Sequence, residues 1–305
     1  MTDPSAPPAM LATCLAGKRF AVLGLARSGL ATVRMLVRSG AQVMAWDSRD
    51  EPKQSVIAEF GDAVEIADPV QADLTGFDGL VVSPGVPLNR HPVAEVAAQY
   101  GVPIIGDIEL FALARPDLPP HRVIGITGTN GKSTTTALVH HLLRNAALPT
   151  RMGGNIGLPI LDQEPLPAGG VYVLELSSYQ IDLTRNLACD VAALINITPD
   201  HLDRYAGFAA YAASKGRLLA MQRADQHAVF GTGDPETRAV CRAMMLEAAT
   251  IGQRLGHDGI VVIMFGAEFL HHRFETNAGR HGKAANIIAL KSNTPCYNRY
   301  IRHPA

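Results

Sequence analysis

The chain has 305 residues, 47% of them apolar, which is enough for two domains with cores of their own. Its 27 basic and 28 acidic residues leave a formal net charge of −1, which argues against a nucleic-acid partner. Its four scattered cysteines lack the spacing of a zinc site or a disulfide framework. No stretch has the charge of a signal peptide or the roughly 20 apolar residues of a membrane span, so we expect a soluble, cytoplasmic protein without a membrane partner.

The first predicted unit is a strand, a helix and a second strand. The strand that begins at Phe20 leads into the turn Gly24-Leu-Ala-Arg-Ser-Gly29, and the second strand ends on Asp47. This pattern is typical of Rossmann-type nucleotide binding. Ala26, however, replaces the glycine that makes room for a dinucleotide pyrophosphate, so the pattern alone does not decide the ligand. We expect the preceding residues 1–17 to be disordered or loosely ordered.

Strands and helices continue to alternate as far as a proline-rich linker at residues 114–121. Such alternation predicts an α/β fold with a parallel sheet, whose ligands bind at the carboxyl ends of the strands. The turns at 24–29, 47–49 and 83–86 should therefore lie along one edge. We place a Rossmann-like domain at 18–118 and a central domain at 119–290.

The central domain opens on a phosphate-binding loop. An apolar strand from Val123 runs into Gly128-Thr-Asn-Gly131-Lys132-Ser133, and leucines and a valine at helical spacing follow. Backbone N–H groups of such a loop bind phosphate, the lysine reaches the outer phosphates, and the serine hydroxyl faces a bound Mg²⁺. The usual first glycine is replaced by Ile126. The alternative is a glycine-rich turn that binds no ligand.

Two further strands end in polar residues. The strand from Val171 ends on Glu175, and an acid in this position beside a phosphate loop commonly serves Mg²⁺; the less favoured alternative is a structural acid that caps the next turn. The strand from Val191 is followed by Asp200-His-Leu-Asp-Arg-Tyr205, which is either a site or a solvated polar loop.

A predicted helix around residues 207–223 carries Lys215 in the middle of its apolar face. A buried lysine is costly unless it is paired, neutral or modified. The side chain therefore either extends along the helix to solvent or has a function near the nucleotide.

Several of these motifs, in this order, resemble the Mur ligases of bacterial peptidoglycan synthesis. The family hallmark is the Thr-Gly-Thr-Asn-Gly-Lys run at 127–132, which also explains the missing glycine. Four stretches resemble the D-glutamate-adding members in particular: Gly106-Asp-Ile-Glu-Leu-Phe111, Gly153-Gly-Asn-Ile-Gly157, Leu174-Glu-Leu-Ser-Ser-Tyr-Gln180 and Asp200-His-Leu-Asp-Arg-Tyr205. The resemblance runs from about residue 18 to about residue 240.

The resemblance assigns three groups of residues. It implies ATP binding by Gly128, Thr129, Asn130, Gly131, Lys132, Ser133 and Thr134. It implies binding of the UDP-substrate by Ala26, Arg27, Ser28, Asp47, Ser48, Arg49, Ser83, Pro84, Gly85, Asn155 and His201, and therefore a uridine nucleotide instead of a dinucleotide. It implies a Mg²⁺ site formed by Ser133, Glu175, His201 and Lys215 as a carbamate, with Lys132, Glu175, His201 and Lys215 as the catalytic set.

The implied activity is ATP-dependent amide synthesis, with D-glutamate added to UDP-N-acetylmuramoyl-L-alanine through an acyl phosphate, by a monomer. Family members continue into a third domain, and the sequence leads us to expect that this domain is absent and that residues 291–305 form an irregular tail. The alternative function is therefore a catalytically incompetent remnant that binds UDP-substrate and ATP. A folylpolyglutamate synthase is disfavoured by the uridine-side turns, and a GTPase or kinase by the absence of their motifs.

Overall fold

The computed structural model describes residues 10–223 and 225–244 and the strands 261–266 and 287–291, which form two parallel β-sheets. The strands of the first sheet are β1 (Arg19–Leu23), β2 (Gln42–Trp46), β3 (Val64–Ile66), β4 (Gly79–Val82) and β5 (Ile104–Ile105). They are arranged in the order β3-β2-β1-β4-β5, and every neighbouring pair is parallel. The accompanying helices are α1 (Arg27–Arg38), α2 (Asp50–Phe60), α3 (Val93–Tyr100) and α4 (Asp107–Ala114).

The second sheet also consists of parallel strands. They are β6 (His121–Thr127), β7 (Thr150–Gly154), β8 (Gly170–Glu175), β9 (Val191–Leu194), β10 (His227–Gly231), β11 (Val261–Gly266) and β12 (Ile287–Lys291). The order is β12-β11-β10-β9-β6-β8-β7, and the helices are α5 (Lys132–Asn145), α6 (Ser178–Asp182) and α7 (Phe208–Ala220). The α/β class predicted from the alternating pattern is confirmed.

Helix α4 joins the two sheets. Seven of its eight residues are buried, because it packs against elements of both halves of the chain. Its Phe111 ring lies 5.1 Å from the ring of Tyr172 in β8, and the N–H of Gly106 donates to the carbonyl of Leu183 at 3.0 Å. One apolar core therefore continues from the first sheet into the second.

The residues before β1 are packed, in contrast to the loosely ordered N-terminus expected for 1–17. Met10, Ala12 and Leu15 are at most 1% exposed, and Thr13 donates from its N–H to Asp117 Oδ2 at 2.6 Å. The apolar side chains of this segment join the main core, which fixes it. Residues 1–9 lie outside the described part of the chain.

The predicted linker at 114–121 is a packed connection. A short 3-10 helix (Arg115–Asp117) follows α4, and Arg115 donates to the carbonyl of Ala188 at 2.6 Å. The domain limits at 118/119 and 290 stay predictions, and residues 292–305 of the predicted tail lie outside the described chain. No helix among the described residues is both long and apolar enough to cross a membrane.

Candidate functional site

The phosphate loop connects β6 to α5. Gly128 and Gly131 have φ angles of 156° and 79°, which favour glycine, and a Cβ on Gly128 would lie 2.8 Å from Ile195 Cγ1. The loop delivers the chain to the first turn of α5, whose N–H groups have no acceptor inside the helix. An anion placed there would be held by these amides and by the helix dipole.

Asn196, which follows β9, holds the loop in shape. Its side-chain oxygen accepts from the N–H groups of Thr129 and Asn130 at 3.0 and 2.8 Å, and its side-chain amide donates to the carbonyl of Asn130 at 2.9 Å. The Thr129 hydroxyl donates to the carbonyl of Thr198 at 3.1 Å. The N–H groups of Thr129 and Asn130 are therefore used for hydrogen bonds within the protein, whereas the N–H groups at the start of α5 are available to a ligand.

Two lysines converge on the loop from different helices. Lys132 Nζ donates to the carbonyl of Thr129, and Lys215 Nζ donates to the carbonyl of Gly128, both at 2.8 Å. Lys132 begins α5, whereas Lys215 reaches the loop from the middle of α7. Two lysine side chains therefore meet on adjacent carbonyls at the end of β6.

Lys215 is enclosed and does not extend to solvent. It is 1% exposed, and its Nζ lies 4.7 Å from the centre of the Tyr211 ring. Burial, and next the positive charge of Lys132, lower the pKa of Lys215 from 10.5 to about 7. The structure therefore excludes the alternative in which this side chain extends along the helix to solvent, and the role of Lys215 toward a nucleotide stays a prediction.

Glu175 lies at the carboxyl end of β8, beside the phosphate loop. It is 1% exposed and pairs in register with Ile126 of β6, two residues before Gly128. Its Oε1 accepts from the side-chain amide of Asn155 at 2.9 Å. Its Oε2 is buried and has no hydrogen-bond partner among the described residues. An anionic oxygen left in this state is suited to bind a cation.

His201 lies in an exposed loop after β9. Its φ angle is 51°, a left-handed conformation that is uncommon for a residue other than glycine. Its ring is 5.3 Å from that of Tyr179, and its Nε2 is 3.5 Å from Asp200 Oδ2. Among the described residues, no three His, Cys, Asp or Glu side chains form a metal site by themselves.

The three turns of the first sheet meet at one edge, as predicted. Asp47 is buried and accepts from the N–H of Leu25 at 2.8 Å, and Ser83 donates to the carbonyl of Gly24 at 2.7 Å. Arg49 pairs with Asp47 at 3.1 Å. Burial by itself would raise the pKa of Asp47, but the hydrogen bonds from Arg49 and Leu25 hold this pKa below its usual value. The turn that contains Ala26, Arg27 and Ser28 is thus linked to both neighbouring turns.

The loop with His201 contacts this edge directly. Arg204 donates to the carbonyls of Pro84 and Val86 at 3.2 and 3.4 Å, and the side-chain amide of Asn89 donates to the carbonyl of Asp203 at 3.0 Å. The predicted uridine-side turn and the predicted His201 loop are therefore in direct contact.

Sequence reasoning missed the supporting residues of this site. Asn196 merely follows an apolar strand, Tyr179 and Tyr211 look like ordinary core aromatics, and Arg204 was recognised only as one charge of a polar loop. Their partners lie tens of residues away in the chain, as in the bond from Arg204 to Pro84 across 120 positions. No periodic pattern reports such contacts.

Comparisons with protein families match nearly the whole described chain. Residues 126–285 match the family model of the Mur ligase middle domain, and residues 18–106 match the model of the MurD-like N-terminal domain of Mur ligases. A solved structure of UDP-N-acetylmuramate:L-alanyl-gamma-D-glutamyl-meso-diaminopimelate ligase from Neisseria meningitides has a similar fold, with a TM-score of 0.52 and 17% identity over 82% of this chain and 78% of that one.

Several curated relatives are much closer in sequence. The UDP-N-acetylmuramoylalanine–D-glutamate ligase of Novosphingobium aromaticivorans is 70% identical over 76% of this chain and 52% of its own length. The proteins of the same name from Sphingopyxis alaskensis and Zymomonas mobilis are 63% and 53% identical, over 74% and 77% of this chain and 51% and 55% of their own lengths. The chain thus spans about half the length of the curated relatives it matches.

Proposed function

The chain belongs to the Mur ligase family, and from this premise we propose that it is an ATP-dependent ligase that joins D-glutamate to UDP-N-acetylmuramoyl-L-alanine. The relatives at 53–70% identity carry the name of that activity. We propose further that it acts in the cytoplasm as a monomer and that its domains divide near residue 118.

The observation that carries this proposal is the pair of lysines on the phosphate loop. Lys132 and Lys215 bind the adjacent carbonyls of Thr129 and Gly128, each at 2.8 Å. Phosphoryl transfer needs mainly positioning and neutralisation of the charge on the transferred group. We assign ATP to the loop Gly128–Thr134, with the outer phosphates at the first turn of α5 beside Lys132.

Mg²⁺ fits the residues beside this loop. Glu175 presents a buried carboxylate oxygen that has no partner in the described part of the chain, and Asn155 orients the carboxylate through its other oxygen. Mg²⁺ in nucleotide sites is held by one or two carboxylates, waters and phosphate oxygens, so a larger acidic cluster is not required. We assign Glu175, the Ser133 hydroxyl and His201 to it. When bound, Mg²⁺ would neutralise phosphate charge and orient the γ-phosphate.

We assign a carbamate to Lys215. A neutral amine is the form that adds to CO₂; the product loses a proton and carries one negative charge. Burial favours the neutral amine, since it lowers the pKa of Lys215 to about 7. The modification would place an anion there that is able to help hold a second Mg²⁺ near the loop.

The uridine nucleotide is assigned to the edge of the first sheet. Ser83, Pro84 and Gly85 follow β4, while Asp47, Ser48 and Arg49 follow β2. Ala26, Arg27 and Ser28 open α1, whose first turn offers N–H groups to the diphosphate. The contact of the 83–86 turn with Arg204 directs the other end of the substrate toward His201 and Asn155.

In the proposed reaction, the terminal carboxylate of the UDP-linked substrate attacks the γ-phosphorus of ATP, and ADP leaves. The amine of D-glutamate then attacks the acyl phosphate, loses a proton and displaces phosphate. Lys132 neutralises charge on the transferred group, and the loop amides fix its position.

The test uses the 305-residue chain with ATP, Mg²⁺ and UDP-N-acetylmuramoyl-L-alanine, with and without D-glutamate. We expect phosphate release that depends on D-glutamate and is lost in K132M, with K18M, on the exposed start of the first sheet, as the matched control. Binding of both nucleotides without phosphate release would overturn the ligase assignment and leave a nucleotide-binding protein. Failure to bind UDP-substrate by calorimetry would overturn the assignment of the first sheet.

A further inference from the structure

Arg204 makes three contacts that connect the two sheets. Its guanidinium donates to the carbonyls of Pro84 and Val86, at 3.2 and 3.4 Å, and its Cζ lies 4.2 Å from the centre of the Tyr179 ring. The carbonyls belong to the turn after β4 of the first sheet. Tyr179 belongs to α6, which follows β8 of the second sheet along the chain. The Arg204 side chain therefore contacts both the turn after β4 and the ring of Tyr179.

A neighbouring hydrogen bond reinforces this connection. Asn89 donates from its side chain to the carbonyl of Asp203 at 3.0 Å, one residue before Arg204. The segment at 203–204 is thus held by the 83–89 region at two points. Movement of that region would be transmitted to the loop that contains His201.

Tyr179 links the side chain of Arg204 to the ring of His201, whereas their backbones are joined directly by the hydrogen bond from the Arg204 N–H to the carbonyl of His201 at 3.0 Å. The rings of Tyr179 and His201 are 5.3 Å apart, and Tyr179 also stacks on Tyr205 with ring centres 6.0 Å apart. The backbone of His201 is in the left-handed region, a conformation that persists only where its surroundings impose it. His201 is itself exposed, and Tyr179 is the nearer of its two aromatic neighbours, since the Tyr211 ring lies 6.4 Å away.

We propose that Arg204 is a positioning residue that couples the 83–86 turn to the imidazole of His201. When the turn moves to receive a nucleotide diphosphate, Arg204 carries that movement through Tyr179 to His201. The proposal rests on the proposed function in one respect, namely that the turn binds the uridine nucleotide. The substrate would then align the histidine on the far side of the site before reaction.

The chemistry of arginine suits this role, and that of lysine does not. A guanidinium is planar, so it stacks on an aromatic face while its edge donates to carbonyl oxygens in the same plane. An ammonium group is a compact point charge and cannot do both at once. R204K therefore removes the coupling while it keeps the charge.

The test follows the ¹³Cε1–¹H signal of His201 by NMR at one fixed pH, assigned by its absence in H201Q. In the ligand-free protein we expect R204A and R204K to move this signal from the wild-type position toward the position in Y179L, which lacks the ring. N89A, which removes only the second connection, should move it less and in the same direction. An unchanged signal in R204A, or in Y179L, would overturn the proposal.

The second part of the test adds UDP as the probe. We expect UDP to shift the His201 signal in the wild type, and to bind R204A within about threefold of the wild-type affinity without that shift, a difference of less than about 0.7 kcal/mol. An equal shift in both proteins would overturn the coupling. If UDP does not bind the wild type, the proposed function fails, while the ligand-free comparison still decides whether Arg204 positions His201.

R19A is the matched control. Arg19 also lies over an aromatic ring, with its Cζ 4.4 Å from the centre of Phe77, and it donates to the carbonyl of Thr75 at 3.3 Å. It makes these contacts at the start of β1, away from the 83–86 turn. We expect R19A to leave the His201 signal and its response to UDP unchanged.

Discussion

The amine of Lys215 reaches the carbonyl oxygen of Gly128 at 2.8 Å, which ties the middle of α7 to the first residue of the phosphate loop. No carboxylate is within ion-pair distance of this amine in the described part of the chain. The group is near Tyr211, the loop backbone and the positive charge of Lys132, and the negative charges of Asp200 and Asp182 act on it more weakly. Burial in this setting lowers the pKa of the amine to about 7, so the neutral form is readily accessible near neutral pH.

We therefore expect Lys215 to react with CO₂. Protein equilibrated with ¹³C-bicarbonate should give one carbamate carbon signal by NMR, because Lys215 is 1% exposed and burial lowers its pKa to about 7. K215M should lose that signal. K18M is the control and should keep it, since Lys18 is exposed and lies at the start of the first sheet. A wild-type spectrum without the signal, or its persistence in K215M, would contradict the expectation.

Substitution of Glu175 should separate binding of nucleotide from binding of its metal. E175Q keeps the shape of the side chain but removes the charge from the oxygen that has no partner among the described residues. Calorimetry should show a roughly tenfold loss in the Mg²⁺-dependent part of ATP affinity, with ATP binding in EDTA unchanged. E164Q changes an exposed acid paired with Arg151 and serves as the control. Equal Mg²⁺ dependence in E175Q and the wild type would exclude Glu175 from the site.

The strands and their carboxyl-terminal turns could be predicted because they depend on local patterns. Apolar runs marked the strands, glycines marked the turns, and a parallel sheet then required the turns at 24–29, 47–49 and 83–86 to share an edge. Lys215 was recognised for the same reason, since helical periodicity alone placed it on a buried face.

Other features depend on tertiary contacts and gave no local signal. Periodicity placed α5 correctly, yet Leu138 and Leu142 are 55% and 56% exposed while Val139 and Leu143 face the sheet. The hydrogen bonds of Asn196 to the phosphate loop join positions 66 and 67 residues apart. An asparagine that follows a strand can make many different hydrogen bonds, and only the tertiary structure shows that Asn196 bonds to the phosphate loop.

Glu109 should be a main determinant of the contact between the two sheets. Glu109 lies in α4, which follows the first sheet, but its hydrogen-bond partners follow β8 of the second sheet. The carboxylate is 2% exposed and accepts from the N–H groups of Arg185 and Asn186 at 2.7 and 3.0 Å, and also from the Asn186 side chain. E109Q places an amide donor against these donors. We expect the free energy of unfolding in urea to fall by about 2–3 kcal/mol.

The control for this substitution is E65Q, which changes an exposed glutamate of β3 in the first sheet. It should unfold within about 0.5 kcal/mol of the wild type. A loss of similar size in both variants would show that the contact of Glu109 with residues 185–186 contributes nothing specific.

His121 should make stability depend on pH. Arg115 Nε donates to His121 Nε2 at 3.0 Å, and Nδ1 lies 2.8 Å from the carbonyl of Pro119, which requires a neutral ring with its proton on Nδ1. Burial, aided by the charge of Arg115, lowers the pKa of His121. The unfolded chain therefore binds a proton first as the pH falls below about 6.5, and the free energy of unfolding declines there.

H121F tests this pH dependence, because phenylalanine keeps the ring beside Phe111 and Tyr172 and cannot titrate. Between about pH 7.5 and about pH 5.5, we expect the urea midpoint of the wild type to fall further than that of H121F. This difference in slope is expected even if H121F is less stable at the higher pH, where Arg115 has lost its acceptor. H141F, at an exposed position of α5, should follow the wild type. Parallel midpoints for the wild type and H121F would mean that His121 keeps the same proton affinity in the folded and unfolded chains.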